Sequence, residues 1–304
     1  MRSAAKRAAG LPAEPSGEFT RRLDRAAVLL PLLVLGAVLA GACTADPRPS
    51  GPAAARRIVS LAPSLTELLF AIGAGDRVVG RTRWCDYPPA ALAIPSVGEG
   101  IGFDPEAVAA LAPNLVALYP AASNRAAAGR LAALGIPTVE LRTDSLDQLP
   151  PAARTLGRLT GHAREADSVT RDFESLLDSA RAAPRPAAPP SVLILAWDNP
   201  PIVIGGGSFQ SELVALAGGA NAFGDLPQPS APVSVETIAA RDPDIVLVSD
   251  STVPDWTRRP EWRVVRAVRQ RRFVFIHGSD FARPTFRALD AVRRLRAALE
   301  AVPR

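Results

Sequence analysis

One pattern, Glu-x-φ-Ala-Ala-x-x-Pro-Asn/Asp-φ-Val with φ apolar, occurs twice in this chain. It runs from Glu106 through Pro113, Asn114 and Val116, and again from Glu236 through Pro243, Asp244 and Val246. The copies start 130 residues apart (236 − 106). Solenoid repeats recur every roughly 20–50 residues, so this spacing implies instead two structurally equivalent lobes with a cleft between them.

The sequence around each copy alternates strand-like and helix-like runs, which implies parallel sheets. In a first lobe over residues 57–148, the strand Ile58 Val59 Ser60 Leu61 leads into a helix. There Ser64 is expected to cap and Glu67 to complete a capping box, with a stop at Gly73. A short strand at Val78 Val79 and strand-like runs at residues 115–118 and 138–141 follow. Residues 149–183 are charged and helical in pattern, with apolar positions at Leu156, Leu159, Val169, Phe173, Leu176 and Leu177, and they end in the proline-rich stretch from Pro184 to Pro190. A long helix here, within a bridging segment of residues 149–190, joins the lobes. The second lobe, residues 191–304, repeats the plan of the first, with Val192 Leu193 Ile194 Leu195, a glycine-rich turn, a helix at 208–217, strands at 245–248 and 273–276, and a closing helix at 285–301.

The N-terminus reads as an export signal. Behind Arg21, Arg22 and Arg25, residues 26–42 form an uncharged apolar run of 17 that closes on small residues at Cys43. That is short for a bilayer span, which takes about 20 residues. A transmembrane anchor is the alternative reading. Residues 1–42 are assigned to the signal and 43–56 to a tether, because residues 44–55 are rich in proline and small residues and have no apolar period.

The whole chain has 35 basic and 30 acidic residues. Residues 1–42 hold six of the former and three of the latter, which leaves 29 against 27. The exported part is therefore nearly neutral, and no basic stripe of the kind nucleic-acid binding needs is present. Cys85 is the only cysteine after Cys43, so no intramolecular disulfide is available.

Ligands of open parallel sheets sit beyond the carboxyl ends of the strands. The loops there carry Ser60, Pro63, Tyr119, Trp197, Asp250, His277 and Asp280, and the Arg83 Trp84 Cys85 Asp86 Tyr87 Pro88 Pro89 loop follows the Val78 Val79 strand.

Taken together, the segment from Arg57 to Glu67, the Cys85 Asp86 Tyr87 Pro88 Pro89 and Gly205 Gly206 Gly207 Ser208 Phe209 stretches, the run from Ala217 to Asn221 and the paired glutamate segments resemble the periplasmic binding proteins for vitamin B12, haem and ferric siderophores. The resemblance covers residues 57–304. It is strongest to the cobalamin-binding branch, through Asp86 Tyr87 Pro88 Pro89 and Asn199 Pro200 Pro201. It implies an α/β fold of two small parallel-sheet lobes joined by one long bridging α-helix, the class III architecture. It also implies a monomeric, non-enzymatic receptor that delivers ligand to an ABC permease dimer with cytoplasmic ATPase subunits. Leu39 Ala40 Gly41 Ala42 Cys43 resembles a lipobox, which implies lipidation of Cys43 and attachment to the membrane surface.

The same resemblance gives residues their roles. Glu106 and Glu236 correspond to the acids that pair with permease arginines; following the caps Asp104 and Ser234, they also suit the helix dipole, and the two roles are compatible. Pro63, Trp84, Tyr87, Tyr119, Trp197, Asp280 and Arg283 form the expected ligand-binding set, with Tyr87 and Tyr119 against a corrin and Asp280 and Arg283 as a polar pair. Gly100 and Ser230 stand where that branch has tryptophans, and Trp84 and Trp197 are the candidates to replace those rings. Cobalamin is the expected transported ligand, haem or a ferric siderophore the alternatives.

Competing signals are weaker. No firm metal site is expected; His277 and Cys85 are the candidate axial ligands to cobalt or haem iron, and His162 is read as structural. Gly205 Gly206 Gly207 Ser208 lacks the Gly-Lys-Ser/Thr of a phosphate cradle and reads as a close backbone approach. A Cys85–His277 nucleophile pair is the remote enzymatic alternative, without a nucleophile elbow to accompany it.

Overall fold

The computed structural model describes residues 54–249 and 252–302. The expected signal, Cys43, nearly all of the tether and Asp250 lie outside the described residues.

The first lobe comprises β1 (Ile58–Ser60), α1 (Pro63–Ala71), β2 (Val78–Arg81), α2 (Pro105–Ala109), β3 (Leu115–Leu118), α3 (Arg125–Ala133) and β4 (Thr138–Glu140). Its four strands are all parallel, in the order β2-β1-β3-β4. The sheet is covered on both faces, which is why its strands read as continuous apolar runs. Ile58, Leu115 and Ala117 pack on one side with Leu65, Leu68 and Leu69 of α1. Val59, Val116 and Leu118 pack on the other. Each fully buried leucine of α1 contributes roughly 1.5–3 kcal/mol.

The expected capping box at the start of α1 does not form. Pro63 occupies the first helical position, where its missing N–H costs nothing, and Ala62 stands at the cap. Ser64 is thereby the second residue of the helix, where its Oγ lies 2.9 Å from Thr143 Oγ1. Glu67 points away from the helix start, toward the second lobe.

Two helices follow, α4 (Leu149–Thr160) and α5 (Ala163–Ala182), broken at Gly161, where φ is +75°. Arg154 of α4 pairs with Glu174 of α5 at 2.9 Å and with Asp167 at 3.4 Å, so the two fold back on each other. The segment that sequence pattern presents as one helical stretch is thus a hairpin. Its 20-residue second arm, about 30 Å long, is the bridging helix. Ala166 of α5 belongs to the first lobe's core, whereas Phe173 and Leu177 belong to the second's. Leu146 also packs in the second lobe's core, although it precedes the bridge.

The second lobe contains β5 (Ser191–Asp198), β6 (Pro201–Ile204), α6 (Phe209–Leu216), β7 (Ala220–Asn221), β8 (Ser230–Pro232), α7 (Val235–Arg241), β9 (Ile245–Val248), α8 (Arg266–Arg269), β10 (Phe273–Phe275), α9 (Ser279–Ala282) and α10 (Ala288–Glu300). Here β10, β9, β5 and β7 run parallel, as in the first lobe. A departure from the first lobe's plan lies beyond β5, where β6 and β8 add antiparallel strands. Only Asn199 and Pro200 lie between β5 and β6, so the reversal there is tight.

The repeated pattern occupies equivalent places. Asp104 caps α2 by accepting from Glu106 N–H at 2.9 Å, and Ser234 caps α7 by accepting from Thr237 N–H at 3.2 Å. After each helix, just before the pattern's proline, stands a non-glycine residue of positive φ, Ala112 at 45° and Asp242 at 43°. Asn114 Oδ1 then accepts from Arg57 N–H, and Asp244 Oδ2 from Ser191 N–H, both at 2.9 Å. The pattern's Asn/Asp therefore ties β3 to the start of β1, and β9 to the start of β5.

Candidate functional site

A cavity of about 580 Å³ opens between the lobes at the carboxyl ends of β1, β2, β3 and β4. From the first lobe, Leu61, Ala62, Pro63, Trp84, Glu99, Ile101, Tyr119 and Asp144 line it. The second lobe contributes Gly207, Ser208 and Phe209 at the start of α6, together with Pro229, Ala282, Arg283 and Pro284. The wall is mainly apolar, with three aromatic rings, and its polar groups are held by partners.

Trp84 is 54% exposed, and its Nε1–H donates to Glu99 Oε2 at 2.5 Å. Arg83 lies 4.8 Å from the centre of the same indole and also pairs with Glu99. The Tyr119 hydroxyl donates to Asp144 Oδ1 at 2.6 Å, and Arg142 pairs with the other oxygen at 3.2 Å. That bond to Asp144, helped by burial, raises the Tyr119 pKa above the usual phenol value. The hydroxyl therefore stays protonated, as a donor already in use.

The structure brings four of the seven expected ligand residues, Pro63, Trp84, Tyr119 and Arg283, to this one cavity. Three lie elsewhere. Tyr87 stacks under Arg287, whose guanidinium carbon is 3.5 Å from the ring centre, beside a smaller pocket. Trp197 is 60% exposed on β5 and donates Nε1–H to Asn199 O at 2.8 Å.

Asp280 is buried and does not pair with Arg283. Its oxygens take Arg294 of α10, at 2.8 and 2.9 Å. The Asp280–Arg283 pair expected from sequence is therefore corrected to Asp280–Arg294. Arg283 instead reaches across to Asp86 of the first lobe. A second ion pair joins the lobes beside it, Glu67 accepting from Arg287 Nε and Nη2, both at 2.8 Å.

Cys85 is buried with its sulfur 3.1 Å from Thr82 Oγ1, and His277 is exposed with its ring near Phe275. Neither lines the cavity, and the two are not brought together. Among the described residues no group of three or more His, Cys, Asp or Glu could hold a metal ion. His162 precedes α5, its Nδ1 3.2 Å from Thr160 Oγ1.

Gly100 lines the cavity, and a Cβ there would run into Leu61 O. No larger residue fits this position with the present backbone. A Cβ on Gly205, Gly206 or Gly207 would likewise meet the oxygens of Gln228, Gly224 or Pro227, as close backbone approach requires. Sequence reasoning missed Glu99, Asp144 and Phe209 as wall residues. Phe209 was available in the Gly205–Phe209 motif; Glu99 and Asp144 carried no local signal.

Residues 58–279 match the family model described as periplasmic binding protein. The chain belongs to the periplasmic binding protein family. It is 28% identical over 245 residues to the vitamin B12-binding protein of Vibrio cholerae serotype O1, covering 80% of this chain and 89% of that one. In fold it is similar to the periplasmic haem-binding protein RhuT of Roseiflexus sp. RS-1, with TM-score 0.73, 28% identity, and 80% and 97% of the two chains covered. It is similar too to the periplasmic vitamin B12-binding protein BtuF of Vibrio cholerae, with TM-score 0.70, 28% identity, and 81% and 97% covered. These neighbours share the two-lobed class III architecture. The relatives are substrate-binding proteins, so the family points to a receptor and not an enzyme. No helix among the described residues is long and apolar enough to cross a membrane.

Proposed function

We propose that this protein captures a cobalamin or related corrinoid, one per chain, between its lobes and delivers it to an ABC permease. The observation that carries the ligand reading is the state of the polar groups in the cavity. Haem brings two carboxylates and takes an axial donor from the protein, usually His, Cys, Met or Tyr. Here the one lining tyrosine has its proton committed to Asp144, and among the described lining residues Arg283 is the only cation. A cobalamin carries its own axial ligands and a rim of neutral amides, which suits an apolar wall with few unpaired charges. The relatives named for vitamin B12 support the same choice. Haem is the second reading, favoured by the likeness to RhuT.

Calorimetric titration with cyanocobalamin and with haem tests this. One-to-one corrinoid binding is expected; tight haem binding without corrinoid heat would overturn the ligand while leaving the family. Trp84→Ala and Phe209→Ala should each weaken corrinoid affinity by about 1–3 kcal/mol, because each removes an aromatic face from the cavity wall. Tyr87→Ala should act on the contact between lobes instead.

Export and delivery belong to the same proposal. Cys43 is taken as the lipidated first residue of the exported protein, which acts as a monomer at the outer face of the membrane. Mass spectrometry of the native N-terminus should find an acylated Cys43. An unmodified chain beginning elsewhere would remove the anchor. Glu106 and Glu236, exposed at equivalent helix starts, are proposed to meet arginines on the two permease subunits.

A further inference from the structure

Asp86 lies just behind the cavity wall, and the role inferred for it rests on reading that cavity as a macrocycle site. It fills the fork of Arg283, whose Nη1 and Nη2 donate to its two carboxylate oxygens, the second at 3.0 Å. Asp86 comes from the opposite lobe, just after Trp84, and is not itself part of the lining. A carboxylate on a ligand would seek the same edge of the guanidinium, since two parallel N–H···O bonds are the strongest way to hold it. It would meet Asp86 already in place and beside it in charge. Glu67 is the more distant counter-ion, 3.9 Å from Arg283 Nη1 and with both oxygens hydrogen-bonded to Arg287, so it leaves the fork itself to Asp86. The hydrogen bond from Arg283 holds the Asp86 carboxyl below its ordinary range, so Asp86 is ionised at neutral pH.

We propose that Asp86 is a specificity-determining residue: by filling the Arg283 fork from the opposite lobe, it makes the cavity select macrocycles with a neutral amide rim over those bearing carboxylates. Arg283 then offers the ligand only its remaining N–H groups, which suit amide oxygens. The selection works through charge and not through size.

Asp86→Asn keeps the shape of the side chain and removes its charge at a half-exposed position, and the melting temperature checks that the fold persists. The probes are cyanocobalamin, its monocarboxylate derivatives, in which one amide becomes an acid, and haem. The affinity ratio of carboxylate to amide ligands should rise by roughly ten- to a hundredfold in Asp86→Asn. Adding Arg283→Gln should cancel that rise. A ratio that stays constant, with all ligands moving together or none moving, overturns the proposal and leaves Asp86 a structural tie. If the natural protein binds neither macrocycle, the proposed function fails, and the fork is then probed with propionate alone. The Arg283 Nε–H resonance should shift with propionate in Asp86→Asn and not in the natural protein; equal responses in both would overturn the inference.

Discussion

Glu67→Ala is expected to lower the unfolding free energy at neutral pH by about 3 kcal/mol, measured by denaturant titration. Glu67 is only 6% exposed, and it is the partner of Arg287, which is itself largely covered. Removing the acid leaves a guanidinium with little water and without its hydrogen-bonded carboxylate at the junction of the lobes. Loss of less than about 0.5 kcal/mol would mean that Arg287 finds another partner. The pH dependence of this group runs opposite to that of an ordinary surface carboxylate. Burial outweighs Arg287 and Arg283 and raises the Glu67 pKa above 4.5. A raised carboxyl contributes stability that is fully present below 4.5 and lost as pH rises through the folded value. Glu67→Gln lacks this titration, so the advantage of the natural residue over Gln should widen as pH falls toward 4.5.

Uptake is expected to fall by at least about a hundredfold in the double variant Glu106→Arg/Glu236→Arg, with ligand affinity and melting temperature kept. Both acids are exposed and outside the cavity lining, at the starts of α2 and α7. Asp104 and Ser234 cap those helices by accepting from backbone N–H groups, which both substitutions keep. Glu236 is held ionised by its own backbone N–H and the Ser234 hydroxyl, which favours presentation of a charge to a partner. Replacing both acids puts like charges against the proposed permease arginines at both contacts. Transport that survives would leave the glutamates as helix-start residues only; binding that fails with transport would place them on the ligand surface.

The two-lobed plan was legible because it is written in local pattern. Apolar runs give the buried strands, and the duplicated Pro-Asn/Asp turn fixes where β3 and β9 begin. The start of α1 was misread for an equally local reason, since Pro63 claims the position that would have made Ser64 a cap. Much of the candidate site could not be read this way. Glu67 and Arg287 are 220 residues apart, and Arg283 and Asp86 are 197 apart. Nothing in spacing says which of several arginines an acid will take; the resemblance sets Asp280 with Arg283, whereas its oxygens take Arg294. The family resemblance names loops, and the packing of the lobes decides which of their side chains face the cavity.

The bridging helix has a consequence for how the molecule comes apart. Ala166 is embedded in one core, Phe173 and Leu177 in the other, and Phe286 touches both while its ring centre lies 4.8 Å from that of Phe173. Neither lobe can melt without exposing apolar surface of the element it shares with its neighbour. The two halves are therefore thermodynamically one cooperative unit, despite having separate sheets.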